Sequence, residues 1–264
     1  MRILLAAAVL ATTGCRRTMV ADPLMPPTRD ALDGWDAALA EVVTEDGYVD
    51  YDALEEHRDA LIDYVAWLGS EEAWVGRVTK DWHAQYLNSY NALVLFQILE
   101  RHRPASVMDV RDWFPADGAA FFHLTQFELG VEHLTLSEIE NERLRWKEMD
   151  YRDHAALNCG ARSSPPMRAE LYRTPIVQEQ LENQMRRWVM DDARGVRIDD
   201  DKAHFNPMFD WYARDFAFFS AGQDLCTIAS QHAGGSKRRR LEELAAQGCP
   251  HDFFPFDWAL NQSQ

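Results

Sequence analysis

The chain has 264 residues, 47% of them hydrophobic, enough for a sizeable core and too apolar for a disordered chain. Its formal net charge of −16 implies no broad basic surface, so nucleic acid is not an expected partner. The acidic balance otherwise says little beyond solubility.

Met1-Arg2 is a short charged start, residues 3–11 are apolar, and small residues lead to Gly14-Cys15. That is the pattern of a secretory signal, too short to span a bilayer, and it assigns residues 1–14 to a signal peptide. The ending Thr12-Thr13-Gly14-Cys15 resembles a lipobox, which makes Cys15 the expected lipidation site of an envelope lipoprotein. Arg16 and Arg17 stand where an aspartate would signal inner-membrane retention, so the expected location is periplasmic, anchored in the outer membrane. Residues 15–28, with Pro23, Pro26 and Pro27, read as the tether. Residues 29–264 show neither internal repeats nor a second linker and read as one globular domain.

A first amphipathic helix is predicted over 29–43, with Leu32, Trp35, Leu39 and Val42 at helical spacing. Asp46-Gly47 is a turn and 48–51 a short extended piece. Asp52 is the expected cap of a second helix that runs to Leu68 and ends at Gly69. The longest helix is predicted over 79–101. It is apolar around most of its circumference and therefore belongs in the core. Asn88 and Asn91 lie three apart on that helix, on one face, and as buried amides they need partners. Backbone in a neighbouring loop is one such partner; orientation of an imidazole, or an oxyanion hole, is the functional alternative.

A β-hairpin is predicted over 121–134 around Gly130. A helix follows over 135–146, opened by a capping box of Thr135 and Glu138. Glu140 and Arg145 on it are expected to form ion pairs with other parts of the chain. Pro175 opens a further helix to 192, and 196–198 pairs with a segment near Phe205. Asp199 and Asp201 lack the oxygen-ligand spacing of a calcium loop, and no Cys/His spacing suits zinc; no metal or cofactor is expected. An aromatic-rich helix is predicted over 207–219, helices over 224–231 and 237–247, and an aromatic tail docking on the core over 253–260. The predicted fold class is α+β: a mostly helical single domain with a small hairpin or sheet around a buried central helix.

Residues 151–168, YRDHAALNCGARSSPPMR, concentrate the candidate chemistry. Gly160 permits a sharp bend, and Ser164-Pro165-Pro166 forces an extended exit, so Cys159 is expected at a constrained corner. A thiol at a bend with an imidazole, His154, five residues away suits nucleophilic chemistry. It equally suits a small buried residue at a tight packing point. LNCGARSSPPMR, together with YVDYDAL at 48–54, LNSYNAL at 87–93, LSEIENERLR at 136–145, FDWYARDF at 209–216 and FDWALN at 256–261, resembles the domain of unknown function 547 family. The ordered set covers most of the chain after the signal. The family commonly carries a second Cys where this chain has Ser164, and the resemblance brings no activity with it.

With Cys15 lipidated, Cys159, Cys226 and Cys249 remain. Cys226 and Cys249, close in sequence, are the natural disulfide, which leaves Cys159 free. Three readings follow. In a thiol hydrolase or acyl transferase, Cys159 is the nucleophile and His154 the base, with Asn91 or Glu140 orienting it. His123, His133, His204 or His232 could supply the imidazole instead, because such sets assemble in space. In a binding or scaffold lipoprotein, Cys159 packs and the partner is an envelope protein or peptidoglycan. Thiol redox chemistry is disfavoured by Ser164, since a resolving thiol is usually needed.

Overall fold

The computed structural model describes residues 16–24, 28–75, 79–111, 116–199 and 201–263. The predicted signal peptide, residues 1–14, and the predicted lipidation site Cys15 lie outside the described residues.

The central element is α4 (Thr79–Glu100), whose residues Leu87, Tyr90, Leu93, Val94, Leu95, Phe96, Ile98 and Leu99 are all buried. An apolar circumference requires cover on every side. It comes from α1 (Asp30–Val42) and α3 (Arg58–Gly69), from the hairpin β2 (Thr125–Leu129) and β3 (Glu132–Thr135), and from α5 (Leu136–Glu138). Beyond α5 the chain continues as a π-helical stretch, Ile139–Arg145. The capping box of Thr135 and Glu138 is present. The hairpin is shorter than its apolar pattern, because Ala120–Leu124 coils into a π-helical turn before the first strand.

A second apolar cluster is built on α7 (Val177–Met190), the antiparallel pair β4 (Val196–Ile198) and β5 (Ala203–Phe205), and the short helices α8 (Met208–Trp211) and α9 (Ala213–Phe219). Helices α10 (Leu225–His232) and α11 (Gly235–Ala246) close it, and β6 (His251–Phe253) adds to β5 in parallel. Cys226 and Cys249 are joined by a disulfide, Cα–Cα 5.6 Å. Trp258 of the tail packs on the first cluster and Phe256 on the second. The molecule is thus mostly helical α+β, with a three-stranded sheet in each half: β1 (Arg17–Met19) beside β2 and β3 in one, and β4-β5-β6 in the other. Helix α6 (Asp153–Ala156) and the corner after it lie between the two clusters.

Three expectations change. The single helix expected after residue 52 is two, α2 (Tyr51–Glu56) and α3, broken at His57; its cap is Asp50, whose Oδ1 accepts from the N–H groups of Asp52 and Ala53. The aromatic helix over 207–219 is likewise broken at Tyr212, whose ring stacks on His154. Finally, residues 17–19 are not free tether. Arg17–Met19 forms β1, paired in parallel with Thr125–Phe127. Three residues are too few to show a period, so the strand is visible only through the open edge of β2 that it fills.

Candidate functional site

The corner begins where α6 stops. Leu157 is extended, and Gly160 takes φ +82, a left-handed conformation that a Cβ disfavours. Its other face leaves no room either: a Cβ there would lie 2.8 Å from Ile98 and 3.1 Å from Val107. Gly47, also at positive φ, lets its turn abut the exit of the corner, and the Met167 N–H donates to the Gly47 carbonyl at 3.0 Å.

Side-chain amides fix the path between. The Asn91 Nδ2 donates to the Ala156 carbonyl and its Oδ1 accepts from the Asn158 N–H, both at 2.9 Å, so one side chain spans Leu157. Asn88, one turn earlier on α4, treats Tyr172 in the same way at 2.9 and 2.8 Å. Both asparagines therefore take backbone partners in neighbouring loops. Asn158 donates to the Pro165 carbonyl and accepts from the Gly160 N–H and from Asn261 Nδ2. Asn261 in turn accepts from the Tyr51 hydroxyl at 2.6 Å. Gln184 reaches the Pro166 carbonyl, and Asn206 the Ser163 carbonyl. The tail zips on from outside, where the N–H groups of Arg162 and Ser163 donate to the Ala259 and Asp257 carbonyls.

Cys159 sits at the apex, free and partly exposed. Its Sγ lies 3.0 Å from the Ser164 Oγ, so the position of the missing second thiol is occupied by a hydroxyl partner. The residue keeps a solvent-facing part, yet its sulphur is packed close enough to Tyr51, Tyr90 and Tyr212 for a charge there to be felt by all three. Burial pushes the Cys159 thiol up, and the Glu140 charge adds to it; the Ser164 hydroxyl and the Ala161 N–H pull the other way and do not prevail. Glu140, half-buried on the π-helical stretch, lies close enough to Tyr212 for its charge to act on the hydroxyl. Burial, and then Glu140, hold the hydroxyls of Tyr90 and Tyr212 well above the usual range.

His154 is committed elsewhere. Its Nε2 meets the Asp215 Oδ2 at 2.8 Å and its ring stacks on Tyr212 at 3.9 Å, while its Nδ1 is buried without a hydrogen-bond partner. Asp215 also receives Arg145 in a two-pronged ion pair, 2.6 and 3.1 Å. Burial opposes the charge on Asp215, but His154 and Arg145 outweigh it and hold the carboxyl at about 2. Arg145 thus has its expected ion pair, with Asp215, whereas the Glu140 charge acts on Tyr90 and Tyr212. The neighbour of His154, Asp153, binds His83 of α4 at 2.7 Å. Burial works against protonation of His83; the hydrogen bond and charge of Asp153, with Glu148 behind, lift its pKa above the ordinary value.

Among the described residues, no histidine is a hydrogen-bond partner of the Cys159 sulphur. His123 is lowered by burial. His204 lies between Asp252 and Asp199, and His232 between the Tyr151 hydroxyl at 2.8 Å and Glu182 at 2.9 Å. Among the described residues, the metal-type grouping of Asp224, Cys226 and Cys249 coincides with the disulfide, whose sulphurs have no thiolate to offer. Tyr212, Asp215 and Asn158 are the site residues that sequence reasoning missed. Their only signals were the pieces FDWYARDF and LNCGARSSPPMR in which they stand.

No curated protein and no solved structure matches the chain. Residues 79–189 match the family model described as "Protein of unknown function, DUF547". That span runs from α4 through the hairpin, α6 and the corner into α7; it holds the pieces at 87–93, 136–145 and 157–168, while those at 48–54, 209–216 and 256–261 lie outside it. Over this segment, which carries Asn91, Glu140, His154 and Cys159, the chain is similar to the DUF547 family.

Proposed function

We propose that the protein is a non-catalytic binding or scaffold lipoprotein of the cell envelope, anchored through Cys15, in which Cys159 is a protonated packing thiol. The observation that carries this is the setting of the sulphur: its hydrogen-bond partner is the Ser164 hydroxyl, and burial and Glu140 disfavour the thiolate that nucleophilic attack requires. A contact surface lies beside the corner. Trp211 is 49% exposed, stacks on Trp258 at 5.8 Å and packs on Phe256 at 4.9 Å. Aromatic faces of this kind take the apolar face of a sugar ring, which makes peptidoglycan the partner to test. Purified protein should co-sediment with peptidoglycan, and Trp211→Ala should weaken that binding without lowering the melting temperature. Absence of co-sedimentation, or binding that Trp211→Ala leaves unchanged, would remove this surface. Cys159→Ala should destabilise the fold by about 1 kcal/mol, as expected for loss of a packed group.

The second reading, a thiol hydrolase or acyl transferase, is favoured by a different observation. The corner is braced on every side around a cysteine that keeps a solvent-facing part, and the His154 Nδ1 is a buried acceptor or donor without a partner. In that reading the Cys159 sulphur attacks a carbonyl carbon while its proton passes to the Glu140 carboxylate; the bond from that carbon to the leaving group breaks, the leaving group takes the proton, and water or an acceptor nucleophile then displaces the sulphur from the acyl group. Glu140 is the carboxylate whose charge reaches the sulphur; His154 and Asn91 act as positioning residues.

A further inference from the structure

The way β1 is held bears on how the domain meets the membrane. Arg17, Thr18 and Met19 pair in parallel with Thr125, Gln126 and Phe127, and the Arg16 guanidinium meets the Glu138 carboxylate at 2.7 Å. Glu138 is itself fixed as the capping-box residue of α5. Two interactions of different kinds, a backbone ladder and an ion pair, therefore seize the chain immediately after residue 15. The proline-containing segment that reads as a spacer lies on the far side of β1 from Cys15, so it cannot separate an anchor on Cys15 from the domain.

We infer that the chain is clamped to the domain from Arg16 onward rather than tethered, so that with an acyl anchor on Cys15 the domain sits flush on the phospholipid surface with the β1 edge of the first sheet against the headgroups. The inference rests on the lipoprotein reading above. A residue spans at most ~3.6 Å, which places an acyl anchor on Cys15 within roughly 7 Å of Arg17. Arg16, Arg17 and Thr18 are exposed at that edge, and Val20 beside them is 59% exposed. The net charge of −16 repels anionic headgroups, so the position is held by the acyl chains and the strand and not by a charged face. One consequence is reach: the corner and the Trp211 surface stay at a fixed height above the bilayer instead of sweeping the periplasm on a linker.

The test uses trypsin, for which Arg16 and Arg17 are cleavage points placed between the anchor and the domain. The mature, lipidated, full-length protein carrying a C-terminal tag is reconstituted in phosphatidylethanolamine/phosphatidylglycerol vesicles, beside a variant with Gly-Ser-Arg-Ser-Gly inserted between Cys15 and Arg16. Release of the tagged domain should be roughly tenfold or more slower for the native chain, because proteolysis follows the population of the opened segment. Equal release rates would overturn the clamp while leaving the anchor intact. The anchor is read separately: Cys15→Ser should leave the membrane fraction of cells. If Cys15→Ser stays membrane-bound, or the native chain is soluble, the lipoprotein reading fails and the clamp with it.

Discussion

The corner over residues 157–167 and the turn α6 just before it are neighbours in the chain, but they are fixed by different chemistry. Around the corner the partners are neutral amides, Asn91, Asn158, Asn206, Asn261 and Gln184, each meeting backbone or another amide. In α6 the partners are ionisable: Asp153 with His83 of α4, and His154 with Asp215 of α9. Amide bonds do not titrate, so the backbone path around Cys159 is the same at any pH at which the fold survives. The α6 pairs do titrate, and each ties α6 to a different cluster, His83 to the first and Asp215 to the second. Geometry is thus kept by one set of bonds, and the pH dependence of the junction between clusters resides in the other.

The largest break expected is on the amide side. Asn91→Leu keeps the volume but leaves the Ala156 carbonyl and the Asn158 N–H without their partner, at about 1–3 kcal/mol for each group, so roughly 3 kcal/mol in all is expected in urea unfolding. The loss should be the same at pH 5 and pH 8. Gly160→Ala comes next. It forces a Cβ toward Ile98 and Val107 in a left-handed conformation, and about 2 kcal/mol of lost stability is expected.

Asp215→Asn sharpens the contrast, because its effect should depend on pH. The folded carboxyl titrates at about 2 against an ordinary 3.8, so its contribution is complete above about pH 4 and disappears as pH falls toward 2. At pH 7 the substitution should cost up to about 2 kcal/mol, and near pH 2 almost nothing. His83 has the opposite sign. Its raised pKa gives stability that is present in full below its ordinary 6.5 and is lost as pH rises through the folded value. Melting temperatures of wild type and His83→Gln should therefore converge as pH rises above neutrality. The smallest effect belongs to the exposed i,i+4 pair of Arg238 and Glu242, where Arg238→Ala should change stability by less than about 0.5 kcal/mol.

Much of the corner was legible because its determinants are local. Gly160 and the Ser164-Pro165-Pro166 exit announce a bend, and two asparagines three apart on an all-apolar helix announce buried amides seeking partners. What those amides seek was not legible, since Ala156 and Tyr172 lie 65 and 84 residues away from Asn91 and Asn88. The same distance problem governs His154. Its nearness in sequence to Cys159 suggests a pair, but its Nε2 is taken by Asp215, 61 residues on, and a tyrosine ring covers its face. Helix breaks at His57 and Tyr212 left no glycine or proline signal, and the π-helical stretch Ile139–Arg145 follows a different period from the one assumed. The hydrophobic periods therefore located the helices, while the turns that aim Tyr212 and Glu140 were set by tertiary contacts.

The most direct test of the central claim, that Cys159 is a protonated packing thiol, is the pH profile of iodoacetamide labelling of the folded protein, compared with His154→Ala. The setting of the sulphur predicts labelling that rises only above the ordinary thiol value of ~8.5, with a midpoint unchanged in His154→Ala. Rapid labelling well below that value, lost when His154 is replaced, would contradict it and establish the nucleophile.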